Sequence, residues 1–348
     1  MVLLKRNNFL IKCLMICFFL GVITHNANSQ ALNIQRVISL LDHAHLEIEN
    51  DNFRRAIEIL DSAIVQGIDN RYLEAEAYFT RSYAHLNIWQ LDRALSDITR
   101  SLYLAFDHAP SYELLSFVYS ELERYLDALQ AINRAIELDS SELVFFVNRS
   151  AVFIHLHEYK MALRDFNYVL SIEPHNAAAL ANKAFFYLRI SKYADALFYI
   201  NQALDIMPTD RDSFRIRAAI HNNMGNHDAA LSDYSRAIEL NIRNPNVYRQ
   251  RGLLFRRMGK NQEAVNDFTA ALQITPNAPR LFRYRSEAHL DMHNFAEAMS
   301  DMIEYVRLTG DEELLAEIQE EWSLLLPNVE LYNQLRQLVE LLDAILEE

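Results

Sequence analysis

Cations recur along this chain at a fixed spacing. Positions 34 residues apart read Arg81, Leu115, Arg149, Lys183, Arg217, Arg251 and Arg285. A row of guanidinium forks is what an extended anion would need, since each fork can hold a carboxylate or phosphate through two parallel hydrogen bonds. A second row, sixteen residues further on, argues otherwise. It reads Asp97, Ala131, Asp165, Tyr199, Asp233, Asp267 and Asp301, so the one Leu meets the one Ala and every Arg meets an Asp. Arg and Asp come and go together within a single chain. The sequence therefore predicts structural ion pairs (Arg81 with Asp97, Arg149 with Asp165, Arg217 with Asp233, Arg251 with Asp267, Arg285 with Asp301) and no anion site in that row.

Other reactive residue types are poorly arranged for catalysis. The chain has 12 His, but none in a His-Glu-x-x-His arrangement. Asp42-His43-Ala44-His45 and His155-Leu156-His157 set their histidines two apart, on different faces of a helix, which is poor ligand geometry. No glycine-rich phosphate loop and no nucleophile elbow is present, and the only cysteines are Cys13 and Cys17. These absences predict no metal, no cofactor and no enzymatic activity. Asn148-Arg149-Ser150 matches a glycosylation sequon, but it falls within a predicted helix at a packed interface and should be inaccessible.

The elements that carry these rows follow from composition and period. Of 348 residues only 6 are Gly and 7 Pro, while 51% are hydrophobic. A mixed α/β enzyme of this length needs more glycine for its turns and phosphate loops, so a long helical protein remains. An alanine recurs at 56, 94, 128, 162, 196, 230, 264 and 298; after a first step of 38, every step is 34. Sixteen residues before each stands an aromatic or Leu, twelve before a small residue (Ala44, Ser82, Ser116, Ser150, Ala184, Ala218, Gly252, Ser286), and four after a large apolar one. Apolar positions stepping by three and four give amphipathic helices, and two per period give a hairpin whose small residues allow close approach. Positions 7 and 23 of each period are equidistant from the turn, which is why the two charged rows should meet.

This frame resembles the tetratricopeptide repeat. The resemblance covers residues 37–312 as eight repeats: 37–70, 75–108, 109–142, 143–176, 177–210, 211–244, 245–278 and 279–312. It implies an all-α fold, a right-handed α-solenoid superhelix of stacked helix-turn-helix units, with the first helix of each lining a concave groove. It also implies ligand contacts at positions 2, 5, 9, 12 and 13. Among the N-terminal repeats these include Phe79, Tyr83, Phe117 and Phe185; towards the C-terminus they become Arg215, Arg249, Arg256, Arg257, Arg280 and Arg283. These arginines stand outside the Arg/Asp frame, in a stretch (211–285) with 13 basic and 6 acidic residues. The implied partner is a protein or peptide with an acidic segment. The Lys and Asn set of the family's carboxylate clamp is not matched, since position 9 reads Ala219, Leu253 and Glu287. His85, His221 and His289 fall at position 11, where the family usually has Tyr, and read as packing residues. The alternative function is a glycan- or envelope-polymer-binding protein, with the aromatics and arginines holding anionic sugars.

The two ends carry signals of their own. Lys5, Arg6 and Lys12 precede an apolar or small run from Cys13 to Thr24, and Ala27-Asn28-Ser29 offers a cleavage point before Gln30. This reads as a signal peptide (1–29) followed by a short lead-in (30–36), predicting an exported, periplasmic or secreted protein with no stable membrane insertion after cleavage. A run of twelve is too short to span a bilayer, which takes about 20 residues; an N-terminal membrane anchor is the alternative. Residues 311–348 hold eleven acidic residues and one basic, Arg336, and 313–348 read as acidic helices capping the repeats. With Lys+Arg 33 against Asp+Glu 47 the net charge is −14, which argues against nucleic acid as a partner.

Overall fold

The computed structural model describes residues 27–240 and 244–310. They form helices α1 (Ala27–Glu49), α2 (Phe53–Val65), α3 (Arg71–Asn87), α4 (Leu91–Leu104), α5 (Ala109–Glu121), α6 (Tyr125–Leu138), α7 (Leu143–His155) and α8 (Tyr159–Ile172). These continue as α9 (Ala177–Arg189), α10 (Tyr193–Ile206), α11 (Arg211–Asn223), α12 (His227–Glu239), α13 (Pro245–Arg257), α14 (Asn261–Ile274), α15 (Pro279–Asp291) and α16 (Phe295–Thr309). No strand occurs among the described residues. The chain divides into two compact units, the first ending at Met224 and the second beginning at Gly225. In each unit consecutive helices pair as antiparallel hairpins, and the second helix of one hairpin packs on the first helix of the next, the arrangement of an all-α solenoid.

The recurring small residues do what their spacing predicts. All eight period alanines are completely buried, and the small residue of each first helix is buried with them. The approach is close enough for the Ser82 hydroxyl to donate to the Ala94 carbonyl (2.8 Å) and Ser286 to Ala298 (2.7 Å). At Gly252 it is closer still. A Cβ there would lie 2.8 Å from Cε1 of the fully buried Phe268. Gly252→Ala is therefore expected to cost about 1–3 kcal/mol, the usual penalty of overpacking, read as a lowered denaturation midpoint; an unchanged midpoint would show that the ring swings aside.

Every hairpin turn uses one backbone device. The second residue after the first helix adopts left-handed φ at Asp51, Trp89, Glu123, His157, Ser191, Gly225, Gly259 and His293. Where the flanking bonds are resolved they close the helix end as a Schellman motif: Glu123 N–H reaches the Ser120 carbonyl and Arg124 N–H the Tyr119 carbonyl. Only two of the eight are glycine, so six turns carry the steric cost of a Cβ in this region. Exposed Glu123, at φ 59°, is the plainest case. Glu123→Gly is expected to stabilise by about 1 kcal/mol, and a drop in melting temperature would rule this out.

Two boundaries differ from the sequence reading. The lead-in at 30–36 is not a separate segment, because α1 runs unbroken from Ala27 through it. The step of 38 arises because α3 has 17 residues where most other first helices have 13; its extra first turn is capped by Asn70, whose side chain accepts from the Tyr72 and Leu73 amides. Residues 1–26, most of the predicted signal, and the predicted cap at 313–348 lie outside the described residues. No described helix is long and apolar enough to cross a membrane.

Candidate functional site

The charged rows meet as expected in the four hairpins where both partners lie in one unit. Each arginine clasps its aspartate with two parallel bonds: Arg81 with Asp97 at 2.8 and 2.6 Å, Arg149 with Asp165 at 2.7 and 2.8 Å, Arg251 with Asp267 at 2.8 and 2.7 Å, and Arg285 with Asp301 at 2.8 and 2.6 Å. All four aspartates are buried. Burial pushes the Asp267 carboxyl up, and Arg251 opposes the shift. Arg217 and Asp233 belong to different units; Asp233 is buried like its counterparts. In the fifth repeat, where Tyr199 replaces Asp, the Lys183 ammonium sits 4.5 Å from the Tyr199 ring centre, exchanging an ion pair for a cation–π contact.

The same cations have a second set of partners that sequence reasoning missed. The free arm of each reaches back to the preceding repeat, sixteen residues earlier: Arg149 to Asn133 (3.0 Å), Lys183 to Asn167 (3.3 Å), Arg217 to Asn201 (3.1 Å), Arg251 to Ser235 (3.0 Å) and Arg285 to Thr269 (3.0 Å). Arg81 reaches twenty back to Asp61 (2.6 Å), the offset growing by the four extra residues of α3. Aromatic rings at the preceding turn carry the guanidinium carbons of Arg81, Arg149, Arg217 and Arg285, with Tyr78, Phe146, Phe214 and Phe282 at 5.2–5.6 Å. Arg81, Arg149, Lys183, Arg251 and Arg285 thus each tie their own hairpin shut and fasten it to its neighbour. The signal was in the sequence as a row of short polar residues at position 25.

The predicted groove residues divide. Phe79 and Tyr83 are buried, 6% and 9% exposed, within the apolar cluster joining the first three repeats, and Phe79 meets the His108 ring edge-on at 5.6 Å. Their assignment as partner contacts is corrected: successive first helices close over them. Phe117 and Phe185 are half-buried, Phe185 beside the His155 ring (5.5 Å). Burial, with the Arg189, Arg215 and His157 charges adding, pushes the His155 imidazole down to about 4, so it is neutral where it stacks on Tyr125 (4.6 Å).

The arginines divide too. Arg256 is held by Glu287 and by Asp291 (2.7 Å), both on the next first helix, and Arg283 by Glu287 (3.2 Å). Standing outside the Arg/Asp frame does not leave these two side chains without acidic partners. The partners of Arg256 lie 31 and 35 residues on, in the following repeat, where a comparison within one period cannot find them, while Arg283 pairs four residues on along its own helix. Arg215 bonds Asp212 (3.4 Å) and Arg249 bonds Asn246 (3.3 Å); Arg257 and Arg280 are exposed. His85 is buried and its imidazole is pushed down by burial, as suits a packing residue; its Nδ1 lies 2.8 Å from the Gln90 amide oxygen. No group of three or more His, Cys, Asp or Glu among the described residues forms a metal site. The sequon asparagine Asn148 commits its amide to Glu113 at 2.8 Å, and Ser150 is fully buried.

Stacked helical hairpins stapled by buried ion pairs define this chain as a helical-repeat protein of the solenoid class. Within it, residues 109–142 and 223–279 each match a tetratricopeptide repeat family model, which supports a protein of that repeat family. No curated protein sequence matches the chain. Among solved structures, a tetratricopeptide repeat protein from Parabacteroides merdae ATCC 43184 is similar at 20% identity, covering 73% of this chain and 99% of that one with a TM-score of 0.53. The Cut9–Hcn1 hetero-tetramer of APC/C is similar at 11% identity and a TM-score of 0.56, covering 80% of this chain and 54% of that one. This chain therefore matches about half the length of the latter. These likenesses concern the fold. The family is generally one of non-catalytic, protein-binding scaffolds.

Proposed function

We propose that this protein is an exported scaffold that holds a segment of a partner protein along the inner face of its first helices. One observation supports this most. On α13 and α15, positions 5 and 2 carry Arg249 and Arg280, half and fully exposed, after the buried charge frame has taken its own arginines and Glu287 has engaged Arg283. Arg280 stands in the first turn of α15, where the helix macrodipole disfavours a cation, so it contributes nothing evident to folding. Forked donors left in this way suit a carboxylate-bearing segment. The glycan alternative is weakened, because two of its four stacking rings, Phe79 and Tyr83, are core. Export rests on the basic start and apolar run of the N-terminus, and sequencing the mature chain tests it: a first residue near Gln30 supports it, and retention of residues 1–20 in a membrane fraction overturns it.

The binding test is the double change Arg249→Ala with Arg280→Ala, leaving Arg256 in place because it bridges two repeats. Stability should stay within about ±0.5 kcal/mol per site. A partner captured by crosslinking in the native compartment should bind more weakly, with a flatter salt dependence. Affinity and salt slope equal to wild type would move the binding surface off these helices.

A further inference from the structure

The inner stripe of α5 is unlike that of the arginine-bearing helices. Glu113, Phe117 and Glu121 follow one another at intervals of four, so a carboxylate, an aromatic ring and a second carboxylate share one face. Glu113 is only 3% exposed. Its Oε1 accepts from Asn148 Nδ2 (2.8 Å), but its Oε2 is buried with no hydrogen-bond partner among the described residues. A buried, unpaired carboxylate oxygen is costly and is seldom left without a reason. Phe117 is half-buried, and it stands between the two acids along the stripe.

We propose that Glu113, Phe117 and Glu121 form a receptor for a basic side chain, a lysine ammonium or arginine guanidinium, carried by the bound partner segment. The assignment rests on the groove reading above and specifies what the partner presents at this point. A cation fits each part of the stripe. It supplies the donor that Glu113 Oε2 lacks, the ring face attracts it, and Glu121 adds charge one turn on.

The charges around the stripe leave that role open. Burial pushes Glu113 up to about 7, with Glu142 adding to the shift, and no basic side chain offsets it. Burial likewise pushes Glu121 up to about 7; Arg215 opposes this and Asp212 adds to it, while Tyr125 stands on the next helix. Arg215 is itself engaged by Asp212 at 3.4 Å. His155, already neutral above about 4, does not change charge between pH 6 and pH 8. A bound cation favours the ionised carboxylates, so binding should strengthen as pH rises through 7 and weaken as it falls.

Selection of phage-displayed random twelve-residue peptides on the full chain at pH 8 tests this. The selected peptides should share a Lys or Arg at one position. Resynthesis with norleucine or acetyl-lysine there should weaken binding at least tenfold, as should Glu113→Gln, and wild-type affinity should fall severalfold between pH 8 and pH 6. Glu121→Gln, which keeps the shape of the side chain and one acceptor oxygen, should also weaken binding. Selected peptides without a basic position, or norleucine analogues that bind as well as the parent, would overturn the receptor while leaving the groove reading intact. Recovery of no peptide at all would overturn both.

Discussion

Asp267→Ala is expected to destabilise the protein by about 3 kcal/mol, the low end for breaking a buried ion pair. The change strips Arg251 of two hydrogen bonds while the guanidinium stays in place, 18% exposed, with only the Ser235 hydroxyl and the Phe255 ring as company. Most of the cost is the unpaired charge rather than the lost attraction. The chain itself supplies the control. Its third repeat folds with Leu115 and Ala131 at these two positions, so the double change Arg251→Leu with Asp267→Ala should recover most of the loss. Chemical denaturation of the two singles and the double forms a thermodynamic cycle. A double mutant as unstable as the sum of the singles would mean that the two residues do not act as a pair.

Glu113→Gln is expected to raise stability above pH 7 by about 1–3 kcal/mol, with the gain shrinking to nothing near pH 4.5. Burial lifts this carboxyl from its ordinary 4.5 to about 7. A raised carboxyl contributes stability that is complete below its unfolded value and is lost as pH rises through its folded value. Every tenfold gain in proton affinity on folding corresponds to about 1.4 kcal/mol, which sets the upper end of the effect. Glutamine keeps the acceptor for Asn148 and cannot ionise. The histidines act with the opposite sign: burial pushes His85, His108, His155 and His289 down, so their contribution is lost as pH falls below about 6.5. The wild type should therefore be most stable between pH 6 and 7. Melting curves of wild type and variant from pH 5 to pH 8 decide the matter, and a difference that does not change with pH would show that folding leaves the proton affinity of Glu113 unchanged.

The helices, their pairing and the bidentate clasps were legible because the chain repeats itself and so contains its own variants. Leu115 with Ala131 acts as a natural double mutant, and that pair alone assigns the charge row to structure. What comparison at one position of the period cannot show is contact between different positions of neighbouring repeats. Asn133, Asn167 and Asn201 face cations in the next repeat, and Arg256 is bridged by Glu287 and Asp291, all across that boundary. Burial of Phe79 and Tyr83 escaped for a related reason. A position that faces inward in the average repeat lies under its neighbours here, where aromatic bulk fills the space between first helices.

The back-reaching arm of the position-7 cation also has a mechanical meaning. Each rung fastens one repeat to the one before it, like a rivet through overlapping plates, and Arg81, Arg149, Lys183, Arg217, Arg251 and Arg285 supply rivets at six of the seven joints. The joint between α4 and α5 has none, because Leu115 stands where the cation would be and the Thr99 hydroxyl turns back to the Leu95 carbonyl of its own helix. Apolar contact and one long hydrogen bond between the Ser101 and Ser111 hydroxyls (3.4 Å) hold that seam, and such contact slides where a forked hydrogen bond shears. Pulled from its ends, the chain should part first between Leu104 and Ala109, giving an early rupture in a force–extension trace that Leu115→Arg with Ala131→Asp would push to higher load.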